Sequence, residues 1–172
     1  DMDKAVRRVD EAISRGEKIM VYGDYDVDGT TAVAHVYIFL RQRGMEELLF
    51  YIPDRYKEGY GISKLGVDYA RKNGVSLIIA LDCGIKAVEK VAYAKEQGID
   101  FIICDHHLPG DAIPEAVAVL DPKRPDCTYP FDELSGCGVG FKLVQGYCKY
   151  KDIPFDNIVG LLDLVVVSTA AD

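Results

Sequence analysis

Three segments of this 172-residue chain place acidic and imidazole side chains directly after apolar runs. Tyr22 leads through Gly23 to Asp24, Asp26 and Asp28; Leu81 leads to Asp82; Cys104 leads to Asp105, His106 and His107. If those runs are parallel strands of one open sheet, residues at their carboxyl ends converge on a crevice although they are far apart in sequence. Carboxylates gathered that closely raise one another's pKa and cost folding energy unless cations neutralise them. Carboxylates mixed with imidazole, without thiolates at matching spacing, suit Mn²⁺ or Mg²⁺, and the imidazoles tilt the choice towards manganese. Two such ions about 3.5–4 Å apart lower the pKa of a shared water and brace both oxygens of an in-line phosphoryl displacement. Hydrolysis of a phosphate ester is the expected chemistry.

Each position also has a plainer reading. An Asp after a strand is often a turn residue or a helix N-cap; for Asp82, followed by Cys83 and Gly84, that means a cap for the next helix. His35 reads as a packing or surface residue rather than a ligand. Two consecutive imidazoles after a buried strand and an Asp are expensive without a task, so His106 and His107 carry more weight. Asp24-x-Asp26-x-Asp28-Gly29 copies the opening of an EF-hand loop, but its twelfth position is His35 where a bidentate Glu is needed, and a strand precedes it. Asp26-Val27-Asp28-Gly29-Thr30 also matches the opening of haloacid-dehalogenase-like phosphatases, whose first Asp becomes phosphorylated. That alternative leaves Asp105, His106 and His107 without a role.

The stretch Gly136-Cys137-Gly138-Val139-Gly140-Phe141-Lys142 reads as the opening of a helix. There the N–H groups of Gly136 and Gly138 and the ammonium of Lys142 would face a substrate anion. It lacks the Walker arrangement and a preceding strand, so a tight turn with close helix packing is an equal reading. Arg55, Lys57, Lys123 and Arg124 lie in or near loops and could touch phosphates, although solvated surface charge is the simpler role for most of them.

The elements that must position these groups alternate in type. Apolar runs at 19–22, 48–52, 77–81, 101–104 and 116–120 read as strands. Amphipathic spacing predicts helices over about 31–43, 62–72, 87–97, 139–150 and 156–170, with Gly44, Asn73-Gly74 and Gly98 as stops. The amino end, 1–13, has helical spacing too. This alternation predicts an α/β fold: a mainly parallel open sheet flanked by helices on both faces, Rossmann-like and three-layered.

The length suits one domain, and 49% hydrophobic content is enough for a single core. Asp and Glu number 28 against 20 Lys and Arg, a formal charge of −8, which argues against a self-sufficient nucleic-acid binder. Five Cys without a C-x-x-C pair suggest neither a disulfide framework nor a zinc ribbon, so a reduced, cytoplasmic protein is expected. The most apolar stretch, 161–167, contains Asp163 and falls short of the ~20 residues that cross a bilayer, so no membrane partner is expected.

Asp105-His106-His107 after an apolar strand resembles the motif that names the DHH phosphoesterases, and Gly23 to Gly29 resembles their first motif. Residues 51–61, 136–142 and Ala170-Ala171-Asp172 are similar to segments of the bacterial branch of that family that digests single-stranded DNA from 5′ ends. The resemblance spans essentially the whole chain. It implies a DHH-type fold and an exonuclease of DNA repair or recombination, with two Mn²⁺ or Mg²⁺ ions per site. By this likeness Asp26 binds one ion with help from Asp24; Asp28, His106 and Asp172 bind the other; Asp82 bridges the two. His107 contacts the scissile phosphate, Arg55 is a weaker candidate for the same task, and Asp105 orients a histidine.

The likeness further implies that residues 1–172 are a single catalytic domain excised from a longer chain, whose DHHA1 and OB-type domains close a groove over the strand. Weak affinity of this part alone for single-stranded DNA follows. A single-strand-binding protein or a helicase is the implied partner of the longer protein. Short oligonucleotides, cyclic dinucleotides and pyrophosphate are alternative substrates within the family. A non-catalytic replication scaffold is an alternative of a different class, disfavoured because every expected ligand is present.

Overall fold

The computed structural model describes residues 1–172. Five strands, β1 (Ile19–Gly23), β2 (Leu48–Tyr51), β3 (Leu77–Leu81), β4 (Asp100–Cys104) and β5 (Ala118–Leu120), form one sheet in the order β2-β1-β3-β4-β5. Every neighbouring pair is parallel. The six α-helices are α1 (Met2–Arg15), α2 (Val27–Gln42), α3 (Lys64–Lys72), α4 (Val88–Glu96), α5 (Gly136–Tyr150) and α6 (Leu162–Ala171).

The inner strands are apolar without alternation because both faces of the sheet are covered. Met20, Tyr22, Ile78, Ala80, Phe101 and Ile103 pack with Val67 and Ala70 of α3 and Val91 and Ala94 of α4. Ile19, Val21, Leu77, Ile79, Leu81, Ile102 and Cys104 belong to the larger core shared with α1, α2 and α5. The two faces follow from right-handed crossovers: the chain steps outward from β1 to β2, then reverses through α3 to β3 and α4 to β4, which puts α2 opposite α3 and α4. The reversal leaves a crevice beyond the carboxyl ends of β1 and β3. Asp24 and Asp82 stand at those two ends.

Several boundaries differ from expectation, and the differences matter for the site. Helix α2 starts at Val27 rather than near Thr31, with Asp26 as its N-cap accepting the Gly29 N–H at 2.8 Å. Asp28 therefore sits in the first helical turn. Helix α5 starts at Gly136 rather than Val139, capped by Ser135, whose Oγ accepts the Gly138 N–H at 3.1 Å. The helix expected over 156–170 is interrupted: two 3-10 turns, Phe155–Asn157 and Val159–Leu161, precede α6. Strand β5 holds only three residues, shorter than the run from Ala116. No helix is long and apolar enough to cross a membrane.

Candidate metal centre

The loop after β1 folds back on itself. A Cβ at Gly29 would lie 2.6 Å from the Asp24 carbonyl oxygen and 2.7 Å from its nitrogen, so the turn closes only over glycine. Asp24 is buried beneath it, and its Oδ1 meets no donor. Burial raises the Asp24 carboxyl above its ordinary pKa, and the charge of Asp26 adds to that. Asp26 itself is exposed at the helix start.

Asp82 has φ +59°, a left-handed backbone uncommon outside glycine. Strain of this kind is held in place by surrounding structure and concentrates at functional sites. The plainer role fails here, because α4 begins after Ala87 and has no side-chain cap. Asp82 Oδ1 is buried without a hydrogen-bond donor, 3.1 Å from His106 Nε2. Burial pushes the carboxyl well above the usual range, and the charges of Asp28 and Asp26 push it further against the pull of His106. Helix α5 presses directly on this residue: a Cβ at Gly136 would fall 2.5 Å from Asp82 Cβ.

Asp28 crosses from α2 to the start of α5. Its Oδ2 accepts the Gly136 N–H at 2.6 Å; its Oδ1 accepts the Cys137 N–H at 2.7 Å and the Ser168 hydroxyl at 2.7 Å. The amino end of α5 thus does hold an anion, as its unsatisfied N–H groups and dipole favour, but the anion is Asp28. The expectation that Gly136 and Gly138 face a substrate anion is corrected: the first N–H is spent on Asp28 and the second on Ser135. Lys142 likewise is engaged elsewhere, donating to Gln145 Oε1 at 3.1 Å and lying 5.8 Å over the Tyr129 ring.

His106 is buried among three carboxylates. Asp28 Oδ2 lies 3.6 Å from its Nε2 and Asp172 Oδ2 lies 3.8 Å from its Nδ1. Burial lowers the pKa of His106, but the close approach and charge of Asp82, with Asp172 and Asp28 adding theirs, outweigh it and leave the imidazole more basic than usual. His107 is half-buried, with Nδ1 2.7 Å from Asp105 Oδ1. That contact, ahead of the opposing effect of burial, raises its pKa. Asp105 also accepts the backbone N–H of His106 at 2.8 Å and of Ile85 at 2.8 Å, so its oxygens are committed to holding the strand end and His107.

Three further residues bear on the site. Tyr60, absent from the sequence candidates, has its hydroxyl 3.2 Å from His107 Nε2 and 3.3 Å from the Asp82 carbonyl oxygen. Its loop is pinned by Tyr22, whose hydroxyl donates to the Gly61 carbonyl at 2.9 Å and accepts the Ser63 N–H at 3.1 Å. Arg55 is exposed and lies 5.2 Å over the ring of Tyr25, the residue between Asp24 and Asp26. Asp121 is buried after β5 with Oδ2 unpartnered, and burial raises its carboxyl to about 6. The same strand-end signal that marks Asp82 was available for Asp121, since Leu120 precedes it. His35, by contrast, is fully buried with its ring 5.5 Å from that of Phe141, which agrees with a packing role and removes the EF-hand reading.

Ligand atoms come within 4.8 Å of one another in three overlapping groups: Asp24, Asp26 and Asp82; Asp28, His106 and Asp172; Asp82, His106 and His107. The ion pairs of these carboxylates are with His106, not with Lys or Arg. Aspartate oxygens and imidazole, with buried oxygens of Asp24 and Asp82 lacking any donor, are a donor set that fits divalent cations of the manganese and magnesium class.

Residues 18–169 match the DHH family, N-terminal domain. The chain is 46% identical over 171 residues to the single-stranded-DNA-specific exonuclease RecJ of Bacillus subtilis (strain 168), across 99% of this chain and 21% of that protein. The crystal structure of exonuclease RecJ bound to manganese matches with a TM-score of 0.89 at 31% identity, covering 99% of this chain and 43% of that one. RecJ from Thermus thermophilus in complex with Mn²⁺ matches with a TM-score of 0.81 at 28% identity, covering 98% of this chain and 23% of that one. The haloacid-dehalogenase alternative gives way to this match, which takes in the aspartate loop and the Asp105-His106-His107 segment together. By sequence and by fold, the chain belongs to the DHH family, whose N-terminal domain it contains.

Proposed function

We propose that residues 1–172 form the catalytic domain of a metal-dependent exonuclease that removes nucleotides from the 5′ end of single-stranded DNA during repair or recombination. One observation carries the reading: Asp82, strained and short of a donor, stands between an all-aspartate group and an aspartate–histidine group. The names of the relatives support the substrate, and the manganese in two related crystal structures supports the metal. This chain spans only 21% of the Bacillus subtilis relative, so the activity of a whole protein is part of the proposal.

In this reading Asp24 and Asp26 hold one divalent ion, Asp28, His106 and Asp172 hold the other, and Asp82 contacts both. When bound, the ions, Mn²⁺ or Mg²⁺, neutralise the cluster, lower the pKa of a water and draw charge from the phosphate. Asp105 fixes the ring of His107 and favours its protonated form, which turns His107 into a hydrogen-bond donor for a phosphate oxygen. Tyr60 limits the swing of that ring. Arg55, at the rim beside Tyr25, offers a second cation to the strand's backbone. The excess of acidic residues means weak strand binding by these residues alone, with a single-strand-binding protein or a helicase presenting the strand to the longer protein. Five unpaired cysteines support a cytoplasmic setting.

The test is manganese-dependent release of mononucleotides from 5′-labelled single strands. The Asp82→Ala and His106→Ala variants are expected to lose at least ~100-fold in rate. Unchanged activity in either removes the proposal.

A further inference from the structure

The two ligand groups are built from different parts of the fold. Asp24, Asp26 and Asp82 all stand on loops leaving β1 and β3, whereas Asp28 and His106 need α6 to deliver Asp172. Helix α6 lies along α2 and α5, but its apolar contacts are shallow: Leu162, Leu164 and Val165 are only partly buried against the core, while Val166 and Val167 are exposed. Apolar contact is non-directional and tolerates a helix that slides or rolls. A short hydrogen bond does not.

Ser168 is the one buried residue of α6, and no part of it is exposed. Its Oγ lies 2.7 Å from Asp28 Oδ1 and 2.6 Å from Ser135 Oγ. A hydroxyl has one proton, and the carboxylate can only accept, so the directions are forced. The Gly138 N–H donates to Ser135, Ser135 donates to Ser168, and Ser168 donates to Asp28. Every member of this relay is satisfied, and it ties the starts of α2 and α5 to one side of α6. Asp172 follows one helical turn later, its N–H donating to the Ser168 carbonyl at 2.9 Å, so the face on which Ser168 is pinned sets the face on which Asp172 emerges.

We infer that Ser168 is the positioning residue that assembles the half of the metal centre made by Asp28, His106 and Asp172, by locking α6 to Asp28. The inference rests on the metal-centre reading proposed above. It divides the centre into a half set by the sheet and a half conditional on the seating of α6, so the two ions respond differently to the loss of one hydroxyl.

Manganese titration of the metal-free protein tests this, followed by calorimetry and by the paramagnetic signal of free Mn²⁺. The unsubstituted protein takes up two ions, as does Thr169→Val, which removes a hydroxyl bonded only within its own helix at Val165. Ser168→Ala is expected to keep one ion at full affinity and to bind the other about 10–100-fold more weakly. Two ions at unchanged affinity in Ser168→Ala would overturn the inference and leave the centre itself standing. Failure of the unsubstituted protein to bind manganese would instead sink the reading beneath it. Should Ser168→Ala not fold, amide exchange in the unsubstituted protein decides: the second equivalent of Mn²⁺ must slow exchange over residues 168–172, and absence of protection there overturns the inference.

Discussion

Replacing Gly136 with alanine separates helix stability from the geometry of the site. The backbone at 136 is not left-handed, so alanine's better helix propensity would by itself add up to about 1 kcal/mol. The new Cβ, however, would lie 2.5 Å from Asp82 Cβ, 2.6 Å from Asp82 Oδ1 and 2.8 Å from Asp82 Cα. Carbon atoms rest ~3.5–4.0 Å apart, so α5 and the loop after β3 must separate by roughly 1 Å. The obstacle is backbone as well as side chain, and that backbone already sits at φ +59°. Overpacking of this kind costs about 1–3 kcal/mol, more than the propensity returns. The effect on function is larger, because a displacement of about 1 Å at reacting groups costs on the order of 100-fold in rate. Gly138→Ala is the comparison: the nearest neighbours of its Cβ are Ser135 Oγ at 3.3 Å and the Leu134 side chain at 3.6 Å. Urea unfolding, manganese titration and nuclease rate on both variants make the test. If Gly136→Ala binds manganese and cuts DNA as the unsubstituted protein does, the close approach of α5 to Asp82 is not as described.

Three other outcomes follow from the same geometry. Burial lowers the pKa of His35 from 6.5 to about 4. As pH falls below 6.5 the unfolded chain gains a proton that the folded chain refuses, so about 3 kcal/mol of metal-free stability drains away between those two values. Urea unfolding at neutral and mildly acid pH should show this slope flattened in His35→Leu, and an identical slope would contradict it. In Asp105→Asn the hydrogen bond that raises the pKa of His107 is weakened and its charge removed. The rate should fall about 10–100-fold and the loss of activity with rising pH should begin earlier; an unshifted pH profile would refute the role given to Asp105. Residues 1–172 alone should bind single-stranded DNA more weakly than ~1 µM at physiological salt, and submicromolar binding in a filter or fluorescence assay would contradict the argument from charge.

Much of the fold was legible because it is written locally. Leu77–Leu81 is uninterrupted and apolar, and only a strand covered on both faces needs that. The aspartates and histidines at strand ends declared themselves for the same reason, since sheet order turns sequence position into spatial position. What stayed hidden depends on distant partners. Val27, Asp28 and Gly29 read as loop by propensity, yet Asp26 caps them into a helix and an acid is favourable in its first turn. Four glycines weaken α5 as a helix, and what favours its start at Gly136 is Asp28, more than a hundred residues away, satisfying the N–H groups there. The anion expected there was real, but it is part of the protein. Ser168 gave no local signal, and Tyr60 was marked only by lying within residues 51–61, because one acts through Asp28 and the other through a loop set by the hydroxyl of Tyr22. Asp121 is different: its signal was present after Leu120 and was simply the same as that of Asp82.

The most direct measurement is anomalous scattering from manganese in crystals of this protein. Two peaks are predicted, about 3.5–4 Å apart, one against Asp24, Asp26 and Asp82 and the other against Asp28, Asp82, His106 and Asp172. A single peak, or ions bound away from Asp82 and His106, would contradict the account.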